Sequence, residues 1–299
     1  MSRNFSFTNQ PAQLLLAVLL LFVALGATSA QEVKEEKRPL LDVEGNQIFS
    51  KKELLDIVNN QLDEWAKAGS KYSSQQLDYC IHQMDFFMKS RGYLKSRVTK
   101  KDVEETETGP RLALTVTEGS MFRVGEITVD DAHLFPSQSI IDTIGLRKGD
   151  VADGKLLSEA LFARLRTRYA KFGYIQYTAE VQPIFHDKDG AREAVVDFKI
   201  TIDEGEQFKV RSVKITGVDA RATDLLTREL MLRAGDIFDD ELFHESVLRM
   251  SRTGLVGPID PEKDVYFGNS ERKNSEDGPP MLDLEIRVKK AGNLPALQR

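Results

Sequence analysis

The sequence predicts an α+β protein that is a tandem array of three β-α-α-β-β units. The apolar residues of the segment 122–129 recur 86 residues later, in the segment 208–215. Both segments alternate apolar and polar residues, as half-buried strands do. A second alternating pattern closes each unit, at Leu112, Leu114 and Val116, then Phe198, Ile200 and Ile202, then Leu284, Ile286 and Val288.

Each unit opens with one strand and a short helix. The strand of the first unit carries Leu41 and Val43, and 86 residues later Ile127 and Val129 take the same places. The short helices are predicted from Ser50 to about Gln61, from Pro136 to about Gly145 and from Ala222 to about Leu232. Ser50 with Glu53 three residues later forms a capping box, which marks a helix start.

A second helix follows in each unit and ends at a glycine, the residue best suited to a left-handed cap. In the second unit it carries one apolar stripe, which is typical of a helix packed on a core. The stripes consist of Leu77, Ile81, Met84 and Met88 before Gly92; of Leu157, Leu161, Leu165, Tyr169 and Phe172 before Gly173; and of Phe243, Val247 and Met250 before Gly254.

A hairpin closes each unit. In the second unit it is predicted from about Tyr174 to Phe185 and from Ala194 to Ile202, with a turn at 186–190. The Asp-Lys-Asp-Gly of this turn is similar to the start of a calcium loop, but Phe198 stands where an EF-hand needs glutamate, so a turn is favoured. Glu118-Gly119 and Glu204-Gly205 end the first two units, whereas the third ends on Lys290.

These patterns divide the chain into units at 38–118, 119–204 and 205–290, with a linker at 31–37 and a tail at 291–299. An apolar run from Leu14 to Gly26 follows Arg3 and precedes the small residues of 27–30. This arrangement is typical of a secretory signal peptide that is cleaved after Ala30. The run is shorter than the roughly 20 apolar residues of a spanning helix, so residues 1–30 are expected to be an export signal.

Composition argues against an enzyme and against nucleic-acid binding. The formal net charge is −6 and no basic stripe is present. The single cysteine, Cys80, excludes cysteine-based zinc sites and an intramolecular disulfide, and it is expected to be buried. The adjacent acids Asp130-Asp131 and Asp239-Asp240 are more typical of turns and helix caps than of catalysis. No catalytic, metal or cofactor site is expected.

Three motifs carry a resemblance to a known family. Glu-Gly-x-x-Phe-x-Val-x-x-Ile-x-Val stands at 118–129, and the same pattern recurs at 204–215 with Val-x-Ile at its end. Tyr-x-x-x-Gly-Tyr-Ile stands at 169–175, and Val-x-Gly-Asn at 43–46. This pattern resembles the POTRA (polypeptide-transport-associated) domain over residues 38–290. Leu-x-x-Gly-Asp-x-Phe at 232–238 and Arg-Thr-Gly-Leu at 252–255 resemble the last POTRA domain of BamA-like outer-membrane barrel insertases.

The resemblance implies that each unit is a three-stranded mixed sheet covered on one face by two helices. It implies a periplasmic protein, associated with the outer membrane, that receives unfolded outer-membrane polypeptides and binds a barrel protein or other assembly subunits. Only nine residues follow Lys290, too few for a barrel of 16 strands with about 10 residues each. The chain is therefore expected to be a barrel-less POTRA protein or a fragment of a longer one.

The resemblance also places the strand after the second helix at an edge of each sheet. The unpaired backbone groups of an edge strand can bind an extended peptide by β-augmentation. The candidate edges are about 93–103, 174–181 and 256–267, and the second is preferred, with Ile175, Tyr177, Ala179 and Val181 as its partner-binding residues. In the alternative interpretation these residues only pack the sheet. The alternative function is an envelope or cell-division scaffold with an uncleaved N-terminal anchor.

Overall fold

The structure is a computed structural model that describes residues 40–67, 74–106, 109–188, 191–269 and 278–291. The predicted signal peptide, the linker and all but the first residue of the predicted tail lie outside these ranges. Residues Lys37–Arg299 form one compact unit. No helix within the described ranges is both long and apolar enough to cross a membrane.

The first repeat contains five elements. They are β1 (Leu40–Glu44), α1 (Lys51–Lys67), α2 (Ser74–Ser90), β2 (Arg97–Thr106) and β3 (Gly109–Thr117). Strand β3 lies in the middle of the sheet, parallel to β1 and antiparallel to β2. The capping box is confirmed, because the Glu53 N–H donates to the Ser50 hydroxyl while the Ser50 N–H donates to the Glu53 carboxylate.

The second repeat repeats this order. Its elements are β4 (Met121–Asp130), α3 (Ser137–Ile144), α4 (Gly154–Glu159), a π-helical segment (Ala160–Leu165), α5 (Arg166–Ala170), β5 (Thr178–His186) and β6 (Glu193–Asp203). The helices α4 and α5 and the π-helical segment are continuous and form the predicted second helix. Strand β6 is central, parallel to β4 and antiparallel to β5.

The third repeat consists of β7 (Lys209–Thr216), α6 (Ala220–Thr227), α7 (Asp240–Arg252), β8 (Val265–Asn269) and β9 (Met281–Arg287). Its sheet has the order β7-β9-β8, with the same parallel and antiparallel pairs as the others. The predicted α+β array of three mixed sheets is confirmed. Helix α6 ends at Thr227, earlier than the predicted Leu232, and residues 270–277, between β8 and β9, lie outside the described residues.

Each repeat has its own core between the sheet and its helices. The buried side chains of the central strand alternate along its length, as Leu282, Leu284 and Ile286 do in β9. The predicted apolar stripe of the second helix packs on them, with Leu157, Leu161 and Tyr169 buried in the second repeat. Cys80 is buried in the first core, as predicted, and burial raises the pKa of its thiol to about 11.

The repeats meet at the glycine that ends each second helix. The Phe122 N–H, at the start of β4, donates to the Gly92 carbonyl over 2.8 Å, and the Phe208 N–H donates to the Gly173 carbonyl over 2.9 Å. The residue two positions after each glycine then packs against the core of the following repeat: Leu94 against the second core and Ile175 against the third. Both joints therefore use the same backbone contact and the same apolar insertion.

Candidate partner-binding edges of the sheets

Strand β5 is an edge strand, and the pairing of its neighbours fixes which of its backbone groups face outward. The Met121 N–H donates to the Arg192 carbonyl, so the carbonyl of Arg192 points towards β4. Because hydrogen-bonding direction alternates along a strand, Glu193 and every second residue after it point towards β5. In the antiparallel register these residues pair with the even-numbered residues of β5. The backbone groups of Ala179, Val181, Pro183 and Phe185 therefore face away from the sheet.

Two of the four predicted site residues lie on this edge and two do not. Ala179 and Val181 are in β5, with outward backbone groups and half-buried side chains that pack on the second core. Ile175 and Tyr177 precede the strand, so their placement on it was wrong. After Gly173 the chain makes a turn, in which the Tyr174 N–H donates to the Tyr169 carbonyl and the Tyr177 N–H to the Tyr174 carbonyl. Strand pairing consequently begins only at Thr178.

Tyr177 is a core residue. Only 5% of it is exposed, and its ring stacks on Tyr169 with the centroids 4.4 Å apart. Burial raises the pKa of the Tyr177 hydroxyl well above its usual value, and among the described residues this hydroxyl has no hydrogen-bond partner. Ile175 contributes to the joint with the third repeat instead. A test of edge pairing therefore has to use Val181 rather than Tyr177.

The far end of the β5 edge is restricted in two ways. Pro183 occupies an outward position and has no N–H, which removes one donor from the edge. Beyond it, Lys95 of the first repeat lies over the Phe185 ring at 4.6 Å from the centroid and pairs with Asp187 over 2.6 Å. The Lys95 ammonium lowers the pKa of Asp187. An added strand therefore has its clearest access at Ala179 and Val181.

The opposite edge of the same sheet is partly covered. The first half of β4 pairs with the segment before α4: the Val124 N–H donates to the Asp150 carbonyl and the Ala152 N–H to the Phe122 carbonyl. Strand β7 is covered in the same manner, with the Val210 N–H donating to the Asp236 carbonyl. Among the described residues of the second and third repeats, this leaves the strand after the second helix as the more open edge.

The other two open edges differ in chemistry. Strand β2 has the sequence RVTKKDVEET and a register shift between Lys100 and Asp102, so it is highly charged and irregular. Strand β8 has the sequence VYFGN and no charged residue. It begins later than predicted, at Val265, since Val256 makes only an isolated bridge to Lys290. The aromatic pair Tyr266 and Phe267 lies in the predicted edge 256–267 but was not identified as functional from the sequence.

The adjacent acids Asp130-Asp131 and Asp239-Asp240 lie at a turn and at a helix start, as their sequence pattern predicts. Asp239 caps α7 by accepting the N–H groups of Glu241 and Leu242. Asp130 pairs with Lys199, and Asp131 has a φ of 59°, which suits a turn. Among the described residues, no group of three or more histidine, cysteine, aspartate or glutamate side chains could hold a metal ion. The chemistry shared by the three edge strands is main-chain hydrogen bonding, to which β2 adds many charged residues.

Three sheets of this topology, joined by repeated glycine contacts, define a tandem array of small α+β domains. The family model of the POTRA domain, described as surface antigen variable number repeat, matches residues 41–119 and 122–205. These matches cover more than half of the chain. The chain therefore belongs to the POTRA family.

Two curated relatives match most of the chain. The chain is 23% identical over 269 residues to outer membrane protein assembly factor BamA of Neisseria meningitidis serogroup B, covering 88% of this chain and 32% of that protein. It is 26% identical over 238 residues to a putative outer membrane protein assembly factor of Treponema pallidum, covering 78% of this chain and 28% of the relative. The chain thus spans about a third of the length of the curated relatives it matches.

A solved structure shows the same fold. POTRA domains 3 to 5 of BamA from Haemophilus influenzae superpose with a TM-score of 0.61 at 20% identity, covering 85% of this chain and 96% of that one. The fold of a tandem POTRA array is therefore shared.

Proposed function

We propose that this chain is a non-catalytic periplasmic binding module that acts in outer-membrane β-barrel protein assembly or polypeptide transport. It engages unfolded outer-membrane polypeptides, or other subunits of an assembly machine, by β-augmentation at the edges of its sheets. The names of the relatives support the process, since they are outer membrane protein assembly factors. The proposed location follows from the apolar run at 14–26 and from these relatives.

The outward backbone of Ala179 and Val181 is the observation that carries this proposal. Both residues present an N–H and a carbonyl at an open edge, and main-chain pairing is largely independent of the side chains of the partner. An edge of this kind can accept many different client sequences. The half-buried side chains of both residues hold the strand on its own core, which keeps the edge in place before a client arrives.

The test is an affinity purification from detergent-solubilised envelope with the tagged, exported chain as bait. The critical variant is Val181→Pro, which removes one outward N–H at a position equivalent to that of Pro183. The matched control is Val181→Thr, which keeps the N–H and the branched shape. Recovery of a barrel insertase or of unfolded barrel proteins by the wild type and by Val181→Thr, and its loss with Val181→Pro, is the expected result.

Two other outcomes contradict the proposal. Equal recovery by Val181→Pro and Val181→Thr would mean that pairing at this edge is not how partners bind. Recovery of inner-membrane division proteins alone would favour an envelope scaffold with an uncleaved anchor. The mass of the exported protein adds an independent check, because a chain that starts at Gln31 has lost its signal.

A further inference from the structure

An open groove lies between β4 and α3 of the second repeat, on the side of the sheet opposite the β5 edge. Its volume is about 850 Å³, and clefts that bind ligands typically have volumes of about 300–1,000 Å³. Ile127, Ile141 and Leu146 form its apolar lining. All residues that line the groove belong to the continuous described range 109–188. The groove therefore offers a concave apolar surface that is separate from β5.

The backbone of β4 is covered on both sides of this groove. The Val124 N–H donates to the segment before α4, and the Val129 carbonyl accepts the Ser137 hydroxyl over 3.2 Å. Between them, Ile127 lies opposite Phe198 in the parallel register, and Phe198 points towards β4, so the backbone groups of Ile127 point away from the sheet. One such residue cannot support a ladder of main-chain hydrogen bonds. The groove consequently suits a compact loop better than an extended chain.

The helices and loops beside this groove form a basic surface. Residues 137–173 of the second repeat carry seven lysine and arginine residues against four acidic residues. The corresponding residues 219–254 of the third repeat carry five against eight, and residues 50–92 of the first carry six against six. The helical layer of the second repeat therefore has an excess of basic residues, although the formal net charge of the chain is −6.

The four acids of this layer are already engaged by nearby groups. They accept the Gln138 amide, two backbone N–H groups and the Lys155 ammonium, and they are Asp142, Asp150, Asp153 and Glu159. The exposed side chains of Arg147 and Lys148 line the groove and form no ion pair within the described residues. Glu126 of β4 adds one carboxylate to the lining. Two cations against one carboxylate therefore remain available to a partner.

We propose that the β4–α3 groove docks a folded partner subunit through a loop that carries acidic side chains next to one aliphatic side chain. The acidic groups pair with Arg147 and Lys148, and the aliphatic side chain packs against Ile127 and Ile141. Complementary charge orients such docking and speeds it. This inference rests on the proposed function, in which subunits of an assembly machine bind the array, and it names the surface and the chemistry for one of them.

Two other occupants fit the observations less well. A second copy of the chain has acidic helices in its third repeat, but such a head-to-tail contact does not close and leads to open chains of molecules. A surface of anionic lipids also has the complementary charge, but a flat surface does not fill a concave groove. Both occupants are outcomes of the test.

The probe is a fluorescently labelled cyclic peptide whose loop displays glutamate, leucine and aspartate. The closed ring prevents the extended pairing that an edge strand requires. Binding to the full-length chain is measured by fluorescence anisotropy, and we expect a Kd below about 1 mM that weakens as salt is added, because salt screens exposed charges. Replacing the acidic residues by lysine is expected to weaken binding by at least about tenfold. Replacing the leucine by alanine is expected to weaken it about threefold.

Variants of the protein locate the site. Arg147→Glu and Lys148→Glu are each expected to weaken binding of the acidic peptide about tenfold and to strengthen binding of the lysine peptide, since one contact changes sign. Lys155→Glu is the matched control, because it makes the same change of charge on the same layer but lies outside the groove lining. It is expected to change the affinity by less than about twofold.

Ile141→Ala tests the apolar wall without a change of charge. It is expected to weaken binding about threefold, since less apolar surface is buried. Circular dichroism checks that each variant is folded. If a charge-reversed variant fails to fold, Ile141→Ala together with the lysine peptide still tests both parts of the proposal.

The outcomes separate this inference from the proposed function. Equal binding of the acidic and lysine peptides, equal effects of Lys148→Glu and Lys155→Glu, or no binding at about 1 mM would overturn the groove. Edge pairing at β5 would stand in that case, because Val181→Pro tests it separately. Conversely, groove binding as expected, with client recovery unaffected by Val181→Pro, would contradict edge pairing and keep the groove.

Sedimentation and binding to phosphatidylglycerol vesicles identify the other occupants. Self-association of the wild type that Lys148→Glu abolishes, without binding of the acidic peptide, would overturn the proposal in favour of a second copy. Vesicle binding that Lys148→Glu abolishes, again without peptide binding, would overturn it in favour of a lipid surface.

Discussion

Single carboxylates hold the loop that follows the first strand in two of the repeats. Glu118 is buried and accepts the N–H groups of Gln47, Ile48 and Phe49 over 2.8 to 3.0 Å. Glu204 does the same for His133 and Leu134 and also accepts the Tyr169 hydroxyl. The Glu-Gly motif therefore closes each of these repeats onto its own beginning.

Replacing Glu118 by alanine is expected to destabilise the protein by about 2–4 kcal/mol, because three backbone donors lose their acceptor at once. Urea unfolding measures this change. Glu118→Gln is the matched control, since its amide keeps one acceptor oxygen, and it is expected to lose about half as much. A loss below about 0.5 kcal/mol for the alanine variant would mean that water replaces the carboxylate.

Replacing the two adjacent acids at the start of α7 is expected to have opposite effects on stability at neutral pH. Asp239 is the N-cap, so Asp239→Ala should cost about 0.5–2 kcal/mol. Burial raises the pKa of Asp240 above its ordinary value of 3.8. The folded state therefore binds this proton more tightly than the unfolded state, and the resulting stabilisation is present at low pH and lost as pH rises through the raised pKa.

Asp240→Asn is accordingly expected to raise the midpoint of thermal unfolding at pH 7. The gain should vanish below about pH 4, where the carboxyl is protonated in both states. Melting curves of the wild type and of Asp240→Asn across this range provide the measurement. A gain that persists in acid would point to a cause other than the charge of Asp240.

Among the elements, the second helix of the second repeat contains a π-helical segment that accounts for the four-residue spacing of its buried residues. Leu157, Leu161, Leu165 and Tyr169 follow one another at steps of four residues, and all four are buried. On an ideal α-helix three such steps wind about 120° around the axis. The π-helical segment Ala160–Leu165 takes up one extra residue, or about 100° of rotation, and so keeps these four residues on the core. Phe172, the last residue of the predicted stripe, is 45% exposed and was wrongly included.

Deletion of Ala163, an exposed residue of this segment, removes the extra residue. A regular α-helix then keeps Leu161, Leu165 and Tyr169 within about 60° of one another on the core side, so the deletion is expected to cost less than about 1 kcal/mol. Ala163→Ser is the control and should change stability by less than about 0.5 kcal/mol, as surface substitutions do. Thermal unfolding followed by circular dichroism compares the two, and a deletion that costs more than about 3 kcal/mol would mean that the π-helical segment does more than keep the stripe in register.

The sequence predicted the elements better than it predicted their ends. Periodicity and the 86-residue repeat predicted the order of strands and helices. They also predicted that each second helix ends at a glycine. They did not reveal that Tyr174 and Tyr177 form a turn, because the alternation of 174–181 continues without a break through turn and strand. Nor could they show that Val181 and Pro183 have outward backbones, since that depends on the hydrogen-bond direction in the neighbouring strand.

At the scale of the whole molecule, the glycine joints connect the repeats. A Cβ atom on Gly92 would lie 2.8 Å from Val151 Cγ1, and one on Gly173 would lie 2.8 Å from the Phe208 carbonyl oxygen. Gly254 holds the equivalent position in the third repeat, yet a Cβ there meets no described atom within 4 Å. All three glycines have positive φ, of 87°, 82° and 72°. A substitution at Gly254 is therefore a control for backbone strain without a clash between repeats.

Alanine at Gly254 should cost about 1 kcal/mol, the strain of a left-handed residue. Alanine at Gly92 carries the same strain and, in addition, pushes the first repeat off the second. Repeat arrays are coupled through nearest-neighbour interfaces, so Gly92→Ala should uncouple the unfolding of the first repeat. The only tryptophan, Trp65, lies in α1 and reports on that repeat alone, whereas circular dichroism reports on all three.

In wild type and in Gly254→Ala, the urea transitions followed by tryptophan fluorescence and by circular dichroism are expected to coincide. In Gly92→Ala the fluorescence transition should come at lower urea than the circular dichroism transition, because the first repeat no longer gains stability from the second. Coincident transitions in Gly92→Ala would mean that the joint tolerates a methyl group and that Lys95 and Leu94 suffice to hold the repeats together. Separate transitions already in the wild type would mean that the repeats fold independently.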